Sequence, residues 1–190
     1  MNNLHAIVQQ LVPEKELMPT TSASELIEHV CSNRYKKENC SKEDKQGFKQ
    51  LPRVLQDIIL LIDLDTELNI NGVLGFIENS SGRYLDETID VLGRIRAVND
   101  ANALKEIKDI LREYDAGAHK LNDDIQHLQQ YEVRSYAQTH PILDDEFYDR
   151  IQRAEEKLYI NANQENVFDH LMRYIEANKK ELMDEIVVYL

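Results

Sequence analysis

The sequence predicts an all-α protein: a multi-helix single domain over residues 50–190, preceded by a helical N-terminal arm and linker over residues 1–49. Three observations predict it. Apolar residues recur at three- and four-residue steps almost throughout, the spacing of one helix face. Sustained apolar–polar alternation, the mark of a half-buried strand, is absent. Only four prolines and six glycines punctuate the chain, which leaves room for long helices.

The first helix is expected over Asn3–Val12 and stops before Pro13. The second starts after Ser22, where Glu25 three residues on makes a capping box. It places Leu26, Ile27 and Val30 inward. Residues 36–50, KKENCSKEDKQGFKQ, are polar and of mixed charge, and read as a loop or linker with room for a short helical turn. From Leu51 the chain becomes apolar, and a helix opens at Pro52, a residue suited to the first turn. Val54, Leu55, Ile58, Ile59, Leu61 and Ile62 cover most of its circumference, which makes it a central core helix. Asn69, Asn71 and Gly72 break it. A short apolar stretch, Val73–Ile77, leads into the turn Asn79-Ser80-Ser81-Gly82, in which Gly82 is expected at positive φ.

The next helix, 83–97, buries Leu85, Ile89, Leu92 and Ile95. Another, 100–114, buries Ala103, Leu104, Ile107 and Leu111, with Asp100 as its N-cap. After the Gly117 loop a helix over 119–138 carries Leu121, Ile125, Leu128 and Tyr131 on one face. Pro141 ends the connection, and Asp144 or Asp145 caps a helix bearing Phe147, Tyr148, Ile151 and Leu158. A last helix from Gln164 presents Phe168, Leu171, Met172 and Ile175, then Leu182, Ile186 and Tyr189. Its apolar end, Ile186–Leu190, is expected to dock on the core, with a dimer contact as the alternative.

Charge is unevenly spread. The chain holds 35 Asp and Glu against 22 Lys and Arg, a net of −13. Residues 1–50 hold seven acids and seven bases; residues 51–190 hold 28 acids and 15 bases and so carry the whole excess. Such a chain repels phosphate and favours cationic partners, which argues against direct nucleic-acid binding. No apolar run approaches the ~20 residues that span a bilayer. The start, MNNLHAIVQQLVPEKEL, lacks the basic opening and cleavage site of a signal peptide, so a cytoplasmic location is expected. Cys31 and Cys40 read as free thiols, and with His29 they fall one ligand short of a zinc site.

The sequence has no glycine-rich phosphate loop, no His-Glu-x-x-His and no Gly-x-Ser-x-Gly elbow. The histidines, His5, His29, His119, His127, His140 and His170, are scattered. No catalytic residue, metal or cofactor is predicted, and the protein reads as a non-enzyme. The run Asp63-Leu-Asp65-Thr-Glu67-Leu-Asn69 has the acid spacing of a calcium loop. It has Leu68 where that loop needs Gly and Leu74 where it needs Glu, so it reads as the acidic side of a core helix.

The segment Glu67-Leu-Asn-Ile-Asn71-Gly72-Val-Leu-Gly75-Phe76-Ile-Glu-Asn79-Ser80-Ser81-Gly82 resembles the most recognisable part of the bacterial DNA-mimic protein family. The amphipathic stretch Tyr84–Ile95 is similar too, as is Asp145-Glu-Phe147-Tyr148 followed by Phe168-Asp-His-Leu171-Met-Arg-Tyr174-Ile175. The resemblance spans residues 50–185. It implies an all-helical, acidic, dimeric protein that binds the DNA-contacting surface of a nucleic-acid-binding protein. Glu67, Asn71, Gly72, Phe76, Asn79, Ser80, Ser81 and Gly82 are expected to shape the fold rather than touch a ligand.

Duplex DNA carries about one charge per 1.7 Å of axis, and acids one helical turn apart lie about 5–6 Å apart. Rows of acids on adjacent helices could therefore imitate a phosphate track. The expected partner-binding surface is Asp86, Glu87 and Asp90, then Glu106, Asp109 and Glu113, then Asp115, Asp123 and Asp124. The plainer alternative is a solvated face, with Asp86 and Glu87 favoured by the helix dipole and with Lys105, Lys108 and Arg112 diluting the second row. Asp144, Asp145, Glu146 and Asp149 read as capping and dipole residues.

The function expected is that of an acidic interaction protein that binds a basic DNA-binding partner by mimicking duplex charge. The rivals are an immunity- or antitoxin-like protein that neutralises a basic toxin, an enzyme with an unrecognised site, and an acidic helical domain with no mimicry.

Overall fold

The computed structural model describes residues 3–14, 20–34, 45–126 and 136–189. Among them every regular element is helical and no strand occurs, in keeping with the all-α expectation. In chain order the helices are α1 (Asn3–Leu11), α2 (Ala23–Arg34), α3 (Lys45–Gln50), α4 (Arg53–Glu78), α5 (Leu85–Arg94), α6 (Val98–Glu113), α7 (Ala118–Gln126), α8 (Tyr136–Thr139), α9 (Asp145–Glu155), α10 (Val167–Ala177) and α11 (Lys179–Val187). A 3-10 turn, Ser80–Tyr84, joins α4 to α5.

The chain divides into two compact units, Met1–Ile62 with Val167–Leu190, and Asp63–Asn166. This packing division falls inside α4. It gathers both ends of the chain into one unit.

In the first unit α2 opens as its sequence dictates. The Ser22 backbone N–H donates to Glu25 Oε2 at 2.7 Å, and the Glu25 N–H donates back to Ser22 Oγ at 3.2 Å. The Ser22 bonds hold the Glu25 carboxyl below its usual range. Leu26 and Val30 are buried and Ile27 is half-buried. Asn33 Nδ2 donates to the Leu11 carbonyl at 3.1 Å and ties α2 to α1. α10 packs on α2, and Glu176 Oε1 accepts the Ala23 N–H at 2.6 Å. α4 opens one residue later than expected, with the Pro52 carbonyl accepting the N–H groups of Leu55 and Gln56. Val54, Leu55, Ile58, Ile59, Leu61 and Ile62 are all buried, as a central helix requires.

The single C-terminal helix expected from Gln164 is two. α10 ends at Ala177, and the Asn178 side chain donates back to the Tyr174 carbonyl at 2.8 Å, which competes with continuation of the ladder. Leu182 and Ile186 dock inward, while Val187 and Val188 are exposed. The Tyr189 ring lies 5.4 Å from that of His5.

In the second unit α5 packs on α6, and α6 on α9. The buried positions follow the apolar stripe: Leu85, Ile89, Leu92 and Ile95, then Ala103, Leu104, Ile107 and Leu111, then Phe147, Ile151 and Leu158. α4 is broken at Gly72, which takes φ 69°. Gly82 was the glycine expected in that region of backbone space, but Gly72 alone takes it among the described glycines. Gly82 is required by space instead: a Cβ there would stand 2.1 Å from the Ile77 carbonyl oxygen.

Asp100 is not the cap of α6. Ala97 stands at the N-cap, and Asp100 is buried in the first turn, where its Oδ1 accepts the Tyr159 N–H at 2.7 Å. A distant backbone group has taken the acceptor that local spacing assigned to the helix end. α5 and α6 both close with paired six-to-one and five-to-two bonds, Ala97 to Leu92 with Arg96 to Gly93, and Ala116 to Leu111 with Asp115 to Arg112. Arg96 and Asp115 take the left-handed position of those caps at φ 66° and 52°, where glycine is usual. α7 buries Leu121 and half-buries Ile125, while Leu128 and Tyr131 lie outside the described residues. Asp144 caps α9, its Oδ1 accepting the Phe147 N–H at 2.9 Å.

Gly82→Ala forces a Cβ onto backbone and is expected to destabilise by about 1–3 kcal/mol. Gly93→Ala, in α5 with open space around it, is expected to stabilise by about 0.5–1 kcal/mol. Urea-unfolding midpoints of the two variants should shift in opposite directions.

Candidate functional site

The nine acids of the expected partner-binding surface all belong to the unit Asp63–Asn166. Asp86, Glu87 and Asp90 stand on α5, Glu106, Asp109 and Glu113 on α6, Asp115 just beyond it, and Asp123 and Asp124 on α7. With the apolar stripes of α5 and α6 turned inward, all of these are exposed except Glu87, which is half-buried, and Asp124, whose side chain lies outside the described residues.

Six of them face a basic side chain. Asp86 lies 2.5 Å from Lys108, Glu106 2.6 Å from Lys157, and Asp109 3.0 Å from Arg112. Glu113 lies 2.7 Å from Arg150, Asp115 3.1 Å from Lys120, and Asp123 2.8 Å from His119 Nδ1. The Arg150 hydrogen bond holds the Glu113 carboxyl below its usual range and raises the guanidinium in turn. Asp90 has no cation within ion-pair reach among the described residues. The face therefore alternates in sign. An unbroken anionic row does not run along α6, because Lys108 reaches across to α5, and Arg150 and Lys157 reach in from beyond it. A groove of about 500 Å³ on this face is lined by Lys105, Arg150 and Arg153 as well as by Glu106 and Asp109.

The densest acidic run does the local work its spacing predicts. Asp144 caps α9, Asp145 and Glu146 sit in its first turn, and Asp149 lies 3.9 Å from Arg153.

The segment from Glu67 to Gly82 is built around one carboxylate. Glu67 Oε2 accepts the Asn71 side-chain amide at 3.1 Å and the Asn79 amide at 2.8 Å, and so clamps both sides of the Gly72 break. Phe76, Ser81 and Gly82 are buried, Asn79 is half-buried and Ser80 is exposed. Across the break, the Val73 N–H donates to Glu155 Oε1 at 2.8 Å. That Glu155 contact had no local signal, because 82 residues separate the pair.

Other inward acids were equally invisible. His140, 2% exposed, meets Glu78 at 2.5 Å, and Asn122 Nδ2 donates to the Glu78 carbonyl at 2.6 Å. The Tyr159 hydroxyl donates to Asp65 Oδ1 at 2.5 Å. Burial first, and then that hydrogen bond, push the Tyr159 phenol far up. Burial and the nearby Glu78 raise Tyr148 as well. Asp63 and Asp65 thus lie on the helix of α4, within Arg53–Glu78. Among the described residues no group of three or more His, Cys, Asp or Glu side chains could hold a metal ion. Cys31 is an exposed free thiol on α2, and Cys40 lies outside the described residues. No described helix is long and apolar enough to cross a membrane.

A family model described as DMP19-like protein matches residues 49–178. The chain belongs to the DMP19-like protein family. The matched stretch contains all nine acids, the Glu67–Gly82 segment and Glu155, and leaves out α1, α2 and α11. No curated protein and no solved structure gives a significant match.

Glu67→Ala strands two carboxamides and is expected to cost about 1–3 kcal/mol in denaturant unfolding, with Glu67→Gln milder. For Tyr159, the folded state keeps a proton that the unfolded chain releases above about pH 10. Its stabilisation is complete below that pH and is lost as pH rises toward the folded-state value. Tyr159→Phe should therefore flatten the alkaline fall in the urea midpoint; a fall as steep as in the parent would assign it to other groups.

Proposed function

We propose that this member of a DNA-mimic family is a non-enzymatic interaction protein. It engages the basic, DNA-contacting surface of a nucleic-acid-binding protein in the cytoplasm. The observation that carries this reading is that charge and family coincide. Within residues 49–178, 25 acids against 14 bases leave −11 of the chain's −13.

The ion pairs on α5, α6 and α7 do not cancel that field at range. Each exposed pair is worth about 0–1 kcal/mol, so its partners exchange readily. Beyond a Debye length of about 8 Å, an approaching protein responds to net charge rather than to individual pairs. Lys and Arg side chains of a partner would displace the chain's own cations from Asp86, Glu106, Asp109 and Glu113. Asp90 would meet them without exchange.

A specific observation favours a second reading, an acidic helical domain with no mimicry: six of the nine named acids already have a basic neighbour. The two readings part in one experiment. The immobilised chain should retain DNA-binding proteins from a bacterial extract, duplex DNA should displace them, and retention should fall steeply from low to moderate salt. The triple variant Asp86→Lys, Glu87→Lys, Asp90→Lys should weaken the captured partner about tenfold or more, as its on-rate falls. Retention indifferent to both salt and DNA would leave the second reading standing, and a captured toxin would select the immunity alternative.

A further inference from the structure

Exposed acids without a basic neighbour occur in the first unit as well. On α11, Glu181 and Asp184 are exposed, and neither has a cation within ion-pair reach among the described residues. They line a groove of about 650 Å³ together with Asn178, Lys180, Glu185 and Val188. The groove is shallow and open, a surface for a docked segment rather than a pocket for a small ligand. Glu185 is fixed there, because its Oε2 accepts the Arg53 N–H at 3.1 Å and anchors α11 to the start of α4. Leu182 and Ile186 hold the opposite side of α11 in the core. The groove is therefore lined by one anchored helix with carboxylates projecting from it. Its end is apolar: Val188 is 73% exposed, and Val187 beside it is 59% exposed.

Three carboxylates against one lysine, closed by an exposed valine, select a specific chemistry. A phosphate backbone is excluded by sign. An apolar segment alone would bury Glu181 and Asp184 without partners, at high cost. We propose that this groove docks a basic amphipathic segment of a protein partner, one whose Lys or Arg side chains meet Glu181 and Asp184 while an aliphatic side chain covers Val188. The proposal rests on the basic-partner reading above and adds a second contact to it. It places that contact outside the face of α5 and α6, almost wholly beyond the family-matched stretch 49–178.

The probe is a fluorescent helical peptide that alternates lysine and leucine faces, titrated into the full chain and followed by anisotropy. Glu181→Lys with Asp184→Lys should weaken it about tenfold at low salt. Lys180→Glu should tighten it severalfold, a gain that a change merely structural would not produce. Val188→Ser should weaken the peptide at salt concentrations high enough to screen charge. The Asp86, Glu87 and Asp90 reversal should leave the peptide affinity within twofold, so loss of the groove and loss of the mimic face are read separately. Circular dichroism checks that the variants keep their helix content. Binding unchanged in the Glu181/Asp184 variant overturns the proposal. So does equal affinity for an all-lysine peptide without leucine, or sedimentation in which Val188→Ser dissociates a self-associated chain.

Discussion

The break in α4 is the constraint on which the second unit depends. Gly72 turns the backbone to positive φ, and a helix interrupted there leaves N–H groups without carbonyls. One carboxylate answers a backbone donor there, and a second braces the side chains around the break. Glu155 receives the Val73 N–H, and Glu67 gathers the Asn71 and Asn79 amides on either side. The chain can then run straight on through Phe76 and Ile77 into the tight turn at Gly82, which delivers α5 to α6. Side chains that look like surplus surface charge in the sequence are, at these positions, acceptors for backbone and amide donors.

The pattern extends through the unit. Asp100 and Asp65 fix Tyr159 from two directions, and Glu78 meets His140 in the interior. A negative total therefore overstates how much acid is available to a partner, and the ion pairs on α5 and α6 lower it further at short range. What survives is the long-range field, set by the sum, and the few carboxylates that have no basic neighbour. Those two quantities call for different experiments, because salt acts on the first and single charge reversals on the second.

The helix pattern was legible because burial is local in period: the apolar stripes of α4, α5, α6 and α9 are each buried where three- and four-residue spacing puts them. Caps were legible where acceptor and donor are three residues apart, as at Ser22 with Glu25 and Asp144 with Phe147. Asp100 misled for the converse reason. Its spacing suited a cap, yet a donor 59 residues away held the stronger claim. The break at Gly72 was readable from Asn and Gly, whereas the left-handed backbone expected at Gly82 belongs to Gly72. Nothing in the sequence placed Lys108 against Asp86 or Arg150 against Glu113, because those pairs cross between helices. For the same reason the sign of a surface patch is a tertiary property even when the charges are counted correctly.

The first unit takes its helices from both ends of the chain, Met1–Ile62 and Val167–Leu190, while Asp63–Asn166 is continuous. During synthesis the continuous unit has all its residues available well before the other can be completed. Until α10 and α11 leave the ribosome, Ala23 lacks the Glu176 acceptor and Arg53 lacks Glu185, and the apolar faces of α2 and early α4 await their cover. A premature stop that removed only the last two helices would thus leave its damage near the amino terminus, where nascent-chain chaperones would be expected to hold on.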